Sequence, residues 1–374
     1  MKPVKEIADK LACELILRPD DPKYTDEHIR LYQGCPTLAV TRGGRIYLGW
    51  YSGGTREPHI ENFNLLVYSD DDGVSWSKPL LVIPSSRENL IHALDIQLWT
   101  APDGRLFVFW VQNNVKPAEL TGADGKPLYT GFTVDGYIFN DFVHAEWVSV
   151  CDEPDADEPV FSPPRYLDRG FLRCKPTVLS NGSWLNFNYD QSSERYGYSI
   201  SSDGGKNYEH RYGAKKIPTP FDESMAYQRR DGSIRMLART SVGEAAEAFS
   251  YDNGLSWTEA KLSGIPNANT RLFVSRTPSG RILMVGNDSR TSRSRMTVYL
   301  SDDDGESWTY KRCIDERASL SYPDADFYGG KIYLSYDRER SGEGSAREIL
   351  FAKFTEEDII HPGNPIEIAI VSKP

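Results

Sequence analysis

The stretch YLSDDDGESW, residues 299–308, sets a serine, three aspartates and a glycine directly before a tryptophan. That many carboxylates in ten residues suits either a cation-binding loop or a tight turn. A calcium loop of the EF-hand type needs an oxygen ligand five residues before its glycine. Here that position is Leu300 before Gly305, and in the related stretch around Gly73 it is Tyr68. In the turn reading the aspartate accepts backbone N–H bonds, the glycine takes a positive φ and the tryptophan packs between sheets. The pattern Ser-x-Asp-x-Gly-x-x-Trp recurs at Ser69-Asp71-Gly73-Trp76, Ser250-Asp252-Gly254-Trp257 and Ser301-Asp303-Gly305-Trp308, and again at Ser201-Asp203-Gly205 with Tyr208 in place of tryptophan. Four copies of one turn point to a repeat architecture, in which these carboxylates are scaffold.

A second periodic signal is independent of the first. A tight turn followed by a strand-like run appears as GGRIYLGW, DGRLFVFW, NGSWLNF, DGSIRML, SGRILMV and GGKIYLS, with turn glycines 44, 104, 182, 232, 280 and 330. From Gly182 onward the intervals are 48 to 50 residues. Each unit reads as a meander of four short strands, and nothing in the chain sustains a helical period, which disfavours parallel βαβ wiring. Radial packing buries both faces of such sheets without leaving long edges. The expected fold is therefore all-β, a six-bladed β-propeller of four-stranded antiparallel blades, with residues 1–374 forming a single domain. The longer intervals among the first three glycines imply insertions, the clearest a loop around residues 115–135.

Bulk composition sets further bounds. A net charge of −11 lacks the concentrated basic surface that a polyanion requires, so nucleic acid is not the expected partner, while a local arginine pocket for a small anion is compatible with it. The cysteines at 13, 35, 151, 174 and 313 are odd in number and widely spaced, which argues against a disulfide framework or a structural zinc site. The histidines at 28, 59, 92, 144, 210 and 361 show no HxH or HExxH spacing, so no catalytic metal and no cofactor are expected. The N-terminal stretch, residues 1–21, mixes charges with short apolar runs, and no run is long enough to span a bilayer. A cytoplasmic protein that does not engage membranes is the expectation, or a secreted or periplasmic one if a leader has been removed.

The Ser-x-Asp-x-Gly-x-x-Trp turns resemble the Asp-boxes (BNR repeats) of the sialidase, or neuraminidase, superfamily. In that family the boxes lie at the blade periphery, away from the catalytic face, so the resemblance places the chemistry between them. The segment FDESMAYQRRDGSIRMLART, residues 221–240, resembles the one in which a glutamate opens a strand and an arginine closes the next, here Glu223 and Arg239. Residues flanking a hairpin symmetrically meet on neighbouring strands, so the spacing alone allows this pair. The segment LSYPDADFYGGKIYLSYDRER, residues 320–340, resembles the one carrying the nucleophilic tyrosine, which would be Tyr322. With an ordinary pKa near 10, a tyrosine needs a base in contact, and the resemblance assigns that role to Glu223. A neutral tyrosine suits a sugar whose anomeric carbon bears a carboxylate, because an anionic nucleophile would be repelled. The strand leading into the last box is introduced in the family by a carboxylate-binding arginine, for which Arg295 is the closest match and Arg293 the next.

The chain also departs from the family pattern. The Arg-Ile-Pro that supplies the first of three arginines is replaced by Gly34-Cys35-Pro36, leaving Arg30 or Arg56 to reach the pocket from elsewhere. No aspartate stands where the acid/base residue should lie, within GWYSGGTREPHIENFN, so Glu57 is the candidate proton donor and Glu61 the second. Asp95, before the second hairpin, is a further pocket candidate. The resemblance thus implies an exo-sialidase-like glycoside hydrolase of retaining mechanism acting on a glycan or small acidic sugar. Tyr322, Glu223 and Glu57 would be catalytic, and Arg239, Arg295, Arg56 and Asp95 would bind substrate. The missing arginine favours the alternative, an enzyme of this fold acting on another sugar by hydrolysis or elimination; a non-catalytic glycan-binding propeller is the third reading. The oligomeric state is not legible.

Overall fold

The computed structural model describes residues 13–128, 130–139, 144–342 and 344–374. The N-terminal residues 1–12, part of the stretch read above for localisation, lie outside the described residues. Among the described residues no helix is long and apolar enough to cross a membrane.

Six antiparallel sheets of at least four strands follow one another along the chain. Their innermost strands begin the blades in order: Gln33–Val40, Ile91–Thr100, Thr177–Val178 (with Phe171–Leu172 before it), Met225–Gln228, Phe273–Arg276 and Leu320–Tyr328. Each of these packs against the next, and the sixth packs against the first, so the sheets close into a ring: a six-bladed β-propeller. The inner strands of the first two blades are buried on both faces, Gln33–Val40 throughout and Ile91–Thr100 up to Trp99, with apolar stretches such as Leu38–Val40. A short strand, Ile16–Leu17, adds a fifth to the outer edge of the first blade by pairing with Leu81–Pro84.

The segment read as a loop insertion carries strands of its own. Lys116–Pro117, Thr133–Val134 and Tyr137–Ile138 form a small antiparallel sheet between the second and third strands of the second blade.

The opening stretch is a turn. The Asp303 carboxylate accepts from the Ser301 hydroxyl at 2.7 Å and from the Ser307 backbone N–H at 2.9 Å, while the Gly305 N–H donates to Ser301 Oγ at 2.8 Å. The Ser307 hydroxyl, which donates to the other Asp303 oxygen at 2.6 Å, is the foremost of the donors that hold the Asp303 carboxyl down at about 2. Gly305 sits at φ +82°, and a Cβ there would come within 2.1 Å of the Tyr227 hydroxyl on the preceding blade. The same bonding recurs at Ser69, Ser201 and Ser250. The box tryptophans fill the seams between blades: Trp257 lies edge-on to Tyr198 of the third blade, and Trp76 to Phe351 of the sixth.

Candidate active site

One position per blade clusters around the propeller axis, and four of the six, Asp95, Arg173, Glu223 and Tyr322, line a common cavity. Cys35, Asp95, Arg173, Glu223 and Arg271 each precede the hairpin glycine of their blade by nine residues, and Tyr322 precedes Gly330 by eight. The ladders of the first, second and sixth blades slip between Gly34 and Thr37, Leu94 and Gln97, and Ser321 and Asp324. These are β-bulges, and the residue at each takes a left-handed backbone: Cys35 at φ 56°, Asp95 at 59°, Tyr322 at 55°. Glu223 is at φ 24°. A bulge turns a side chain out of the pleat, and left-handed non-glycine residues cost on the order of 1 kcal/mol or more each. Repeating that cost around the axis brings these groups together.

The cavity encloses about 600 Å³. At its floor the Tyr322 hydroxyl donates to Glu223 Oε1 at 3.1 Å. Arg239 Nη1 donates to Glu223 Oε2 at 2.8 Å and reaches the Tyr322 oxygen at 3.3 Å, with Nε held by Asn269 Oδ1 at 2.9 Å. Burial works to raise the Glu223 carboxyl, but the charges of Arg239 and Arg173 outweigh it and hold the group below its ordinary value. Burial, with the Glu223 charge second, raises the Tyr322 phenol. The pair is thus a carboxylate facing a neutral phenol, hydrogen-bonded for proton transfer.

Guanidinium groups surround the tyrosine ring. Arg340, Arg173, Arg271 and Arg293 stand 5.0, 5.1, 5.5 and 5.8 Å from its centroid. Arg271 donates from both terminal nitrogens to the backbone carbonyls of Arg173, Pro36, Tyr322 and Pro323, and to Gln97 Oε1 at 3.2 Å, and so satisfies peptide groups freed at the bulges. Arg173 is buried between two carboxylates, with Nη1 3.0 Å from Asp95 Oδ1 and Nε 3.7 Å from Glu223 Oε1. Arg340 donates to Glu57 Oε2 at 3.1 Å and to Cys35 Sγ at 3.2 Å. Its methylenes cross the face of Gly34, where a Cβ would meet Cδ at 2.2 Å.

Two carboxyls complete the polar wall. Glu57 accepts from Tyr32 Oη at 2.8 Å as well as from Arg340. Burial, despite the neighbouring Arg173, pushes the Asp95 carboxyl up to about 7, and the Glu57 charge adds to the rise. Cys35, Glu57 and Asp95 bring donor atoms within 4.8 Å of one another, a spacing that could hold a metal ion. The Arg340 guanidinium already occupies the Glu57 and Cys35 donors, and a cation there would meet it head-on, so the arrangement fits an ion pair rather than a metal. The opposite wall is aromatic, with Phe132, Phe139, Phe171, Tyr189 and Phe221 lining the cavity.

The structure therefore gathers Tyr322, Glu223, Arg239, Glu57 and Asp95 and corrects other expectations. Arg295 does not reach the cavity: its half-exposed side chain pairs with Asp288 at 3.3 Å, and Arg293 lines the cavity instead. The two share a pleat face in sequence, but Arg295 is itself a left-handed bulge residue and is turned outward. Arg56 also stays out of the cavity, exposed at its mouth with its guanidinium 5.0 Å from the Phe132 ring. Arg30 is buried elsewhere, bonded to the Tyr24 carbonyl and Ser372, and Glu61 pairs with Lys23 and Arg87. Two arginines lining the cavity, Arg173 and Arg340, and a third beneath it, Arg271, escaped the sequence reading. Arg173 and Arg271 were findable from the nine-residue offset to the hairpin glycine. Arg340, beyond the end of a strand of the last blade, had no such marker.

The family described as BNR repeat-like domain matches residues 152–333. No curated protein matches the sequence. Among solved structures, the chain is similar to the NanB sialidase from Streptococcus pneumoniae in complex with 2-[(3-chlorobenzyl)ammonio]ethanesulfonate, with a TM-score of 0.66 and 16% identity over 93% of this chain and 71% of that one. A leech intramolecular trans-sialidase complexed with 2,7-anhydro-Neu5Ac gives 0.66 and 16% over 94% and 71%. A protein of unknown function from Dyadobacter fermentans gives 0.64 and 17% over 96% and 97%. At these identities the likeness is one of fold.

Proposed function

We propose that the chain, whose residues 152–333 match the BNR repeat-like domain family and whose fold is like that of the sialidases, is an exo-acting glycoside hydrolase that removes a terminal carboxylated sugar with retention, using Tyr322 as nucleophile. The observation that carries this reading is the Tyr322–Glu223–Arg239 cluster, a phenol donating to a buried carboxylate at 3.1 Å with one guanidinium bonded to both.

In the first step the Tyr322 oxygen attacks the anomeric carbon as its proton passes to Glu223. Glu223 is suited to receive it because arginines keep it ionised before the step. The departing glycosidic oxygen takes a proton from the Asp95–Glu57 side of the cavity. Asp95 is the group that burial keeps protonated up to about pH 7, and Glu57, the less buried of the two, reaches toward the mouth. In the second step water attacks the glycosyl–tyrosine bond, giving its proton to the same carboxyl pair, and Glu223 returns the proton to the phenoxide. Arg239, Arg293 and Arg340 surround the tyrosine from three sides, which suits a substrate carboxylate on the anomeric carbon. A carboxylate nucleophile would be repelled by that substrate, and a neutral phenol is not.

The test is a panel of fluorogenic α-sialosides, uronides and neutral glycosides, run on the wild type and Tyr322→Phe. Turnover should be confined to carboxylated glycosides and should fall at least ~10³-fold in Tyr322→Phe with little change in Tm. Near wild-type turnover by Tyr322→Phe would sink the covalent mechanism.

A further inference from the structure

The seam between the second and third blades is apolar over most of its depth, with Trp99, Phe107, Phe109, Val148 and Trp184 in one cluster. Two rows of side chains facing this seam change character toward the cavity. On the strand His144–Cys151 the row of Val150 and Val148 continues to Glu146, which is fully buried and has no hydrogen-bond partner in the protein for either carboxylate oxygen. On the third blade the row begun by Trp184 continues to Asn186, whose cross-strand partner is Ser199, whose own partner is His210. Asn186 and Ser199 are fully buried, and Asn186 Oδ1, Ser199 Oγ, Asn188 Oδ1 and His210 Nε2 also lack partners.

These groups face one another across the seam. Asp168, the cross-strand partner of Glu146, accepts from Asn188 Nδ2 at 2.6 Å and lies 2.7 Å from His210 Nδ1. Tyr208, the residue that replaces the tryptophan of the third Asp-box, neighbours both Glu146 and Asn186. Buried polar atoms in folded proteins are overwhelmingly satisfied, and a concentration of orphans at one place marks bound water or an ion. Water can satisfy amides and hydroxyls, and Asp168 already has His210 and Asn188 as partners, but an ionised Glu146 with no partner for either oxygen calls for positive charge. The free atoms are predominantly hard oxygens, drawn from a carboxylate, two amides and a hydroxyl, the donor set that calcium takes at about 2.3–2.6 Å in irregular geometry.

We propose that this cluster binds a calcium ion, with the Glu146 carboxylate as its anionic ligand and the oxygens of Asn186, Asn188 and Ser199 completing the shell. The ion would be structural and would brace the wall of the cavity, since Glu146 lies two residues from His144 and Asn188 adjoins Tyr189, both cavity-lining.

The experiment uses the full chain, stripped with EGTA and then equilibrated with calcium or magnesium chloride. After gel filtration, elemental mass spectrometry should find about one calcium per chain. Saturating calcium should raise Tm by about 4 °C over EGTA, and magnesium, which demands a near-octahedral shell, should not. Glu146→Gln keeps the shape and removes the charge, so it should abolish both retention and shift. Should that variant fail to fold, Ser199→Ala provides the same readout, with calcium affinity reduced about tenfold. A wild type that retains no calcium and melts identically in EGTA and calcium overturns the proposal, as does Glu146→Gln retaining calcium like the wild type. Either result leaves a neutral carboxyl surrounded by water.

Discussion

Gly34 is the most informative residue to perturb, because it stands where the family pattern has an arginine and leaves room for another. A methyl group there would lie 2.2 Å from Arg340 Cδ, 2.5 Å from Cγ and 2.9 Å from Asp337 Oδ2. Carbon atoms pack at about 3.5–4.0 Å, so the Arg340 stem must retreat by more than ~1 Å. It has little freedom to do so and stay on target, because its guanidinium is tied to Glu57 and Cys35. Gly34 itself has no left-handed backbone, so alanine strains nothing locally. Gly34→Ala should therefore withdraw one charge-assisted contact from the substrate carboxylate, about 1.5–3 kcal/mol, or roughly 10- to 150-fold in kcat/KM or product affinity. Arg340→Ala should lose a similar amount, and the double variant little more than either, since both act on one side chain. The assay is calorimetric binding of the free acidic sugar, with circular dichroism to confirm the fold and a neutral sugar as control. Unchanged affinity in Gly34→Ala and Arg340→Ala would refute Arg340 as the replacement for the missing arginine.

The remaining predictions concern the other arginines and the acid. Arg293→Ala should raise KM for a carboxylated glycoside at least tenfold, while Arg295→Ala, on an exposed pair with Asp288, should leave KM within about twofold; equal effects would return Arg295 to the site. Since burial pushes Asp95 up to about 7, the active acid form disappears above that pH and kcat/KM should fall about tenfold per pH unit there. Asp95→Asn should lower the rate and abolish that limb; a limb that persists assigns the proton to another group. The same shift bears on folding. The folded chain keeps a proton that the unfolded chain releases near 3.8, so this group's contribution falls as pH rises from about 4 to about 7 and is flat above. Denaturant titrations at pH 5 and 7.5 should show a smaller loss for Asp95→Asn than for the wild type, and identical losses would show that the carboxyl is not shifted.

What the sequence shows of the fold and the site differs for a physical reason. The boxes and hairpins are local: the ring of bonds around Asp303 closes within seven residues, from Ser301 to Ser307, so its pattern survives in the sequence and repeats with the blades. Glu223 and Arg239 are legible for the same reason, one hairpin apart. Arg293 and Arg295 are not separable by pattern, because alternation puts both on one face and only the bulge between strands decides which turns inward. Glu146 and Asn186 are illegible altogether, each an ordinary polar residue in a strand until two blades are packed together.

Arg340 shows what a propeller permits that a local motif does not. The ring offers one inward position per blade, and at the first blade that position holds Cys35, a small side chain that cannot clamp a carboxylate. The last blade lies against the first, however: Gln33 N–H donates to the Arg340 carbonyl at 3.1 Å, and Cys35 N–H to Asp337 Oδ2 at 2.6 Å. An arginine carried past the end of the sixth blade's second strand can therefore extend over Gly34 and bring its guanidinium to 5.0 Å from the Tyr322 ring. The charge at the site is fixed by the closure of the ring, not by the chain position that supplies it. Two conditions follow: residue 34 must have no side chain, and the backbone at 340 must stay docked on residue 33. The second is testable apart from the first. Glycines inserted after Arg338 would lengthen the tether without touching the cavity, and they should lower affinity for the acidic sugar as far as Arg340→Ala does while leaving Tm nearly unchanged; full affinity in the lengthened chain would show that docking at residue 33 does not position the guanidinium.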